Sequence, residues 1–117
     1  MDENLVEEFK MLILGGYFNA KEAHDAIFDE SKPMEKSVVI GYLAISNSYT
    51  NAAKAVYICR EELSHYEFDE FFNKFRTFSD EVMRNIRTNH SHQWSNIEFN
   101  ALSDAYEPVA SLLGITH

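Results

Sequence analysis

Only four glycines and two prolines occur among the 117 residues of this chain. These residues form most tight turns, and a protein built from many short strands needs far more of them. Their scarcity therefore favours an all-α fold. The length is that of one ordinary domain and 45% of the residues are hydrophobic, so we expect residues 1–117 to form a single helical domain with one buried core.

Apolar residues recur at helical spacing along the chain, which predicts an antiparallel bundle of about five helices. The first helix is expected over residues 2–14, ending at Gly15 and Gly16. The second is expected over residues 19–28, opened by a capping box at Asn19.

The third helix is expected to be the longest, over residues 34–63. Its polar centre, residues 46–51, is rich in side chains that compete for backbone hydrogen bonds. This centre is interpreted as a face turned to water, and a kink or break there is the alternative.

The fourth helix is expected to start at a capping box at Ser64 and to carry a dense apolar stripe. The stripe consists of Phe68, Phe71, Phe72, Phe75, Phe78, Val82 and Ile86. Buried aromatic residues dominate protein cores, so the stripe is interpreted as core. Any part of it left uncovered would form a dimer face.

The fifth helix is expected to start at a third capping box, at Ser95. Pro108 is expected to kink or restart this helix because proline lacks the backbone N–H that the preceding turn would bind. Gly114 is expected to close it near Leu113.

The chain is acidic, with nineteen Asp and Glu against ten Lys and Arg and a formal charge of −9. Such a balance opposes phosphate binding over most of the surface. It is typical of a protein that stays soluble through its charge or that binds a basic protein surface. Two acidic regions are candidate contact surfaces. They are Glu22, Asp25, Asp29 and Glu30, and Glu61, Glu62, Asp69 and Glu70.

One stretch departs from this acidity, because no acid lies between Glu81 and Glu98. It contains Arg84, Asn85, Arg87, His90, His92 and Trp94. The simplest interpretation is that the arginines favour a helix C-terminus and the histidines lie in a solvated loop. Alternatively, the stretch forms a contact surface that uses Arg87, His92 and Trp94.

Arg84 and Asn85, followed by His90, resemble the motif of the HEPN family of helical ribonuclease and nucleotide-binding domains. The resemblance implies metal-independent RNA cleavage at a site shared between two subunits, with Arg84, Asn85 and His90 as catalytic residues. A histidine that titrates near neutrality can move a proton, and a guanidinium can hold a phosphate through two hydrogen bonds. Nucleic acid would be the partner under this alternative only.

Metal ligands are too sparse to predict a metal site. His90 and His92 lack further ligands nearby, and Glu62 with His65 is a single pair where a di-iron bundle needs two. No metal or other cofactor is therefore expected. The lone Cys59 falls in an apolar pattern and is predicted to be a buried, free thiol in a reducing compartment.

No stretch approaches the roughly 20 apolar residues that cross a bilayer, and the N-terminus carries acid where a secretory signal carries base. A cytoplasmic protein without membrane association is expected. The leading hypothesis is a non-enzymatic binding module of the regulator, inhibitor or immunity type, with a protein partner. The alternative is the HEPN-like ribonuclease or RNA-binding domain. A homodimer is a third hypothesis, for which the phenylalanine-rich helix is the evidence.

Overall fold

Four long helices joined by short connections form the part of the chain that the computed structural model describes, residues 3–88 and 91–115. They are α1 (Glu3–Phe28), α2 (Lys36–Cys59), α3 (Tyr66–Thr88) and α4 (Gln93–Leu113), with a short 3-10 turn at Glu61–Leu63. These ranges contain no strand, and the all-α prediction is confirmed. The count of about five helices is wrong, because the first two predicted helices are one.

α1 continues through Gly15 and Gly16 because both glycines lie against α2. A Cβ atom at Gly15 would stand 2.6 Å from ring carbons of Tyr49, and Gly16 is buried. Close packing of the two helices offsets the low helix propensity of glycine. The predicted capping box is also wrong, since Asn19 lies inside α1 and its amide donates to the Gly15 carbonyl at 2.8 Å.

α2 is continuous through its polar centre, so the alternative of a break is wrong. The centre does not turn wholly to water either. Ser46 and Thr50 are buried, whereas Ser48 and Asn51 are exposed. The Ser46 hydroxyl donates to the carbonyl of Gly16, which fixes α2 against α1.

The predicted starts of the last two helices are displaced. α3 begins at Tyr66, two residues after Ser64, and α4 begins at Gln93, before Ser95. Ser95 is fully buried and accepts a hydrogen bond from the Asn85 side chain, so it serves the α3–α4 contact and not the helix end. α4 also runs past Pro108 without a restart.

Gly114 ends α4 as predicted. It has φ of 68°, in the left-handed region that glycine enters at little cost. Its backbone N–H donates to the Ser111 carbonyl at 3.3 Å, which satisfies one of the free carbonyl groups of the last turn.

All seven residues of the apolar stripe on α3 are buried, which confirms their interpretation as core. The core continues through all four helices, with α1 packed most closely on α2 and α3 on α4. Stacked rings of Tyr17 and Tyr106, with centroids 3.8 Å apart, join α1 to α4.

Neighbouring helices run antiparallel, because rising residue numbers on one helix meet falling numbers on the next. Asn47 donates to Ser79 and Asn85 donates to Ser95. The Cα atoms span 46 × 21 × 21 Å, so the bundle is elongated and has two distinct ends. We call one end of the bundle the turn end. It holds the α1–α2 connection, the end of α3 and the start of α4, whereas the 3-10 turn at Glu61–Leu63 lies at the opposite end.

Candidate functional site

An open groove lies at the turn end of the described chain. Its volume is about 510 Å³, within the range of roughly 300–1,000 Å³ typical of ligand sites. Residues from the last turns of α1, the connection and the first turns of α2 line it. They are Glu22, Asp25, Ala26, Phe28, Asp29, Lys32, Pro33, Glu35, Val38 and Tyr42. This surface is called the acidic groove below.

The groove combines exposed apolar surface with carboxylates. Phe28 and Val38 are each 40% exposed, although both are large hydrophobic residues. Among the described residues, Glu22 and Glu35 form no ion pair within 4 Å. The groove therefore combines exposed apolar side chains with four carboxylates, and Lys32 is the one cationic side chain among its lining residues.

Asp25 is the most constrained carboxylate of the groove. Lys21 Nζ and His24 Nδ1 each lie 3.0 Å from its oxygens. Burial of the carboxyl group opposes its ionisation, but the hydrogen bonds from His24 and Lys21 outweigh burial and lower the pKa of Asp25. Asp25 is therefore ionised at neutral pH and held in one orientation.

Asp29 is held by the turn that follows α1. The Ser31 hydroxyl and the Ser31 backbone N–H, at 2.9 Å, both donate to Asp29 Oδ1. These two hydrogen bonds lower the pKa of the Asp29 carboxyl. Glu30, predicted to belong to the same region, is exposed beside the groove but does not line it.

His24 ties the groove to α4. Its Nε2 lies 2.7 Å from Asn96 Oδ1, and its ring stacks on Phe99 with centroids 4.3 Å apart. The last turns of α1 are thus fixed from two sides, by α2 and by α4. A preformed groove loses less conformational entropy when it binds.

The second predicted acidic region lies around the α2–α3 connection, at the opposite end of the bundle from the groove. Its ion pairs are exposed and local, between Arg60 and Glu62 at 3.9 Å and between Lys74 and Glu70 at 3.7 Å. Glu61 and Asp69 are exposed on the same end. The structure therefore separates the two acidic regions, and the first surrounds a groove.

The basic stretch lies at the turn end, near the groove. Arg84 is exposed and its guanidinium is 3.1 Å from a Glu81 carboxylate oxygen, whereas Asn85 is 1% exposed and donates to Ser95 at 2.8 Å. The two side chains thus do not share a surface. His90 lies outside the described residues, so the HEPN-like arrangement of Arg84, Asn85 and His90 stays a prediction.

The other members of that stretch differ in exposure. Arg87, in the last turn of α3, is exposed, and Trp94 is 58% exposed in the first turn of α4. His92 is partly buried, and its Nδ1 atom is buried without a hydrogen-bond partner among the described residues. Burial, assisted by the nearby Lys36 cation, lowers the pKa of His92.

The lowered pKa of His92 predicts a loss of stability in mild acid. Below about pH 6.5, the ordinary value for histidine, the unfolded chain takes up a proton at His92 that the folded chain resists. The free energy of unfolding should therefore fall as the pH drops from 7.5 to 5.5. Urea denaturation across this range should show a flatter profile for His92→Gln. An identical pH profile in the two proteins would contradict the assignment.

Comparisons with known proteins add no assignment: no family model, no curated protein and no solved structure matches this chain. The groove must therefore be interpreted from its own chemistry. Within residues 3–88 and 91–115, no group of three or more His, Cys, Asp or Glu side chains is arranged to hold a metal ion. In the same residues, every helix falls short of the length and apolar character that a membrane span requires.

The outer face of α2 was not predicted from the sequence. Cys59, predicted to be buried, is exposed, because it lies on the outer face of this helix. No acid occurs from Lys36 to Arg60, a longer gap than the one between Glu81 and Glu98. That absence of acid is the signal in the sequence that an exposed apolar face is present.

Proposed function

We propose that this protein is a binding module that holds a basic segment of a partner protein in the acidic groove. The observation that supports the proposal is the combination of exposed Phe28 and Val38 with the carboxylates of Glu22 and Glu35 in one preformed concave surface. Nothing in this arrangement calls for a reaction. The regulator, inhibitor or immunity type of function is the hypothesis that such a groove suits best.

The chemistry of the groove matches a lysine or arginine side chain. These side chains lay their methylene stems on apolar surface and keep the charged head among polar groups. In this groove the stem would lie on Phe28 and Val38, and the cation would meet Glu22 or Glu35. Arginine is the better fit, because its guanidinium binds a carboxylate through two hydrogen bonds and stacks on aromatic rings such as Tyr42.

The net charge of −9 assists the same encounter at long range. A negative body attracts a basic segment and raises its association rate, and salt weakens this steering. The exposed apolar side chains of the groove contribute affinity that salt does not screen. Binding should therefore weaken with salt but not vanish.

A matched pair of triple variants tests the proposal. The groove variant is Glu22→Gln, Asp25→Asn and Glu35→Gln, and the control at the opposite end is Glu62→Gln, Asp69→Asn and Glu70→Gln. Both remove three negative charges. The probe is an arginine-rich amphipathic peptide, with a second peptide in which citrulline replaces each arginine and keeps the stem without the charge.

Calorimetric titration should show binding of the arginine peptide to the wild type and to the control variant. The groove variant should bind it at least about tenfold more weakly, which corresponds to about 1.4 kcal/mol. The citrulline peptide should bind as weakly as the arginine peptide binds the groove variant. Equal weakening by both triple variants would mean that only net charge matters, and the proposal would be wrong.

A further inference from the structure

The outward face of α2 carries no acidic residue. It carries exposed aliphatic and aromatic residues that are unusual for a helix in contact with water. They are Ile40, Ile45, Tyr49 and Ile58, at 39, 47, 40 and 71% exposure. Lys54 is the one charged residue between Ser37 and Cys59.

We propose that this face binds a second copy of the same chain, with the two α2 helices antiparallel and crossing at Ser48. Charge is the first reason for choosing a second copy. Two bodies that each carry a formal charge of −9 repel each other, and like charges placed opposite one another oppose association. The stretch from Lys36 to Arg60 contains no acid, so two copies meet there without acidic repulsion.

Self-complementarity is the second reason. A two-fold axis at Ser48 places Gly41 of one copy opposite Ala55 of the other, and Ala44 opposite Ala52. All of these residues are exposed and small. Small residues along a helix face allow two helices to approach closely, and an isologous interface requires that the same surface complement itself.

The dipoles of the two α2 helices favour the antiparallel arrangement, because antiparallel helix dipoles attract one another. The charged side chains at the helix ends do not select a direction. With the axis at Ser48, Lys36 of one copy lies opposite Arg60 of the other and Glu35 lies opposite Glu61, and a parallel pair would also place like charges together.

The area is sufficient for a reversible dimer. A helix of 24 residues is about 36 Å long and about 10 Å wide, so α2 alone offers on the order of 400 Å² per copy. The ring of Tyr49 lies against Gly15, and Met11 and Phe18, on the same face of α1, are 60 and 49% exposed. Their addition brings the interface to about 600 Å² per copy, the lower end of stable complexes.

Sedimentation tests the dimer with a matched pair of single variants. Over about 1–300 µM, a range that covers micromolar dissociation constants, the wild type should shift from the 13.6 kDa chain towards twice that mass. Ser48→Glu places two carboxylates on the two-fold axis and should weaken the dimer at least tenfold. Asn100→Glu, an equal charge change at an exposed position of α4, should leave it unchanged.

Both variants should keep the helical circular dichroism of the wild type, because glutamate suits an exposed helix position. A wild type that stays at the mass of one chain would overturn the proposal. So would a Ser48→Glu variant that dimerises as strongly as Asn100→Glu. Glu35 and Val38 line the acidic groove and also lie at the end of the proposed interface. The peptide titration of the groove is therefore also carried out on Ser48→Glu, in which the dimer is weakened, and this keeps the two proposals distinguishable.

Cross-linking tests the antiparallel arrangement. The proposed pairing places Ser37 of one copy opposite Cys59 of the other, so Ser37→Cys should form a disulfide-linked dimer when diamide oxidises the thiols. Ser37→Cys combined with Cys59→Ser should not. Wild-type Cys59 should not link to itself either, since the two thiols would be about 33 Å apart along the helices. Ready Cys59–Cys59 linkage would indicate a parallel pair and overturn the proposal.

Discussion

Replacing Phe78 with alanine is expected to lower the free energy of unfolding by about 3–5 kcal/mol. Phe78 is fully buried in the middle of the α3 stripe, and its ring packs edge-to-face on Phe99 with centroids 5.4 Å apart. Alanine would remove the ring from the α3–α4 contact and leave a cavity. A loss of this size is a large part of the total stability of a small domain, which is about 5–15 kcal/mol.

Urea denaturation followed by circular dichroism measures the effect. Phe78→Leu keeps most of the apolar volume and should lower the free energy of unfolding by about 1–2 kcal/mol. This variant should stay folded, so its stability can be measured even if the alanine variant does not fold. Tyr66→Ala is the control, because Tyr66 is 73% exposed and its loss should change stability by no more than about 0.5 kcal/mol. Equal losses for Phe78→Ala and Tyr66→Ala would contradict the placement of the stripe in the core.

The α3 stripe could be predicted because its period alone decides which residues are buried. Apolar residues recur every three or four positions from Phe68 to Ile86, with charged residues between them, and a helix has one orientation that buries such a pattern. α2 lacks this contrast, since apolar and small residues cover most of its circumference. The helical period still indicates Val39 and Leu43, which are buried, but it also includes Tyr49, which is 40% exposed, so the sequence identifies the buried face only in part.

The helix starts could not be predicted because Ser95 has a tertiary partner. A serine before an apolar run is typical of an N-cap, but the Ser95 hydroxyl binds the buried Asn85 side chain of another helix. Burial of two polar groups is tolerated when they bind each other. Only the packing of α3 on α4 reveals that pairing.

The acidic groove could be predicted in part. The charge of Glu22, Asp25 and Asp29 and their place near a helix end predict a contact region. Glu35 and Tyr42 were not predicted, because Glu35 immediately precedes α2 and Tyr42 lies in its first turns, away in sequence from the acids at the end of α1. The last turns of α1 and the first turns of α2 must lie side by side before a cluster of charge becomes a concave surface.

Gly15 and Gly16 show how the partner helix decides the role of a glycine. In the sequence they are typical of a helix end, because glycine has low helix propensity and often follows the last turn. In the structure side chains of α2 lie directly against them, with Tyr49 over Gly15 and Thr50 beside Gly16. Glycine at these positions is required by the distance between the helices.

Gly16→Ala is therefore expected to lower the free energy of unfolding, although alanine is the better helix former. The added methyl group would press on the Thr50 hydroxyl oxygen, so either Thr50 or the whole of α2 must move. Overpacking of this kind costs about 1–3 kcal/mol. The gain in helix propensity returns about 1 kcal/mol, which leaves a net loss of up to about 2 kcal/mol.

Gly41→Ala is the matched control for Gly16→Ala, because a methyl group at Gly41 would meet no atom of its own chain within 4 Å. Both substitutions are made in Ser48→Glu, so that a second copy does not cover Gly41. Gly41→Ala should raise the free energy of unfolding by about 0.5–1 kcal/mol. Thr50→Ala removes the oxygen that the Gly16→Ala methyl group would press on. In a protein that carries Thr50→Ala, Gly16→Ala should therefore lower the free energy of unfolding much less. A double-mutant cycle measures this difference. If Gly16→Ala stabilised the protein as much as Gly41→Ala, α1 and α2 would not be in close contact at Gly16. Close packing on α2 would then not explain why α1 continues through its two glycines.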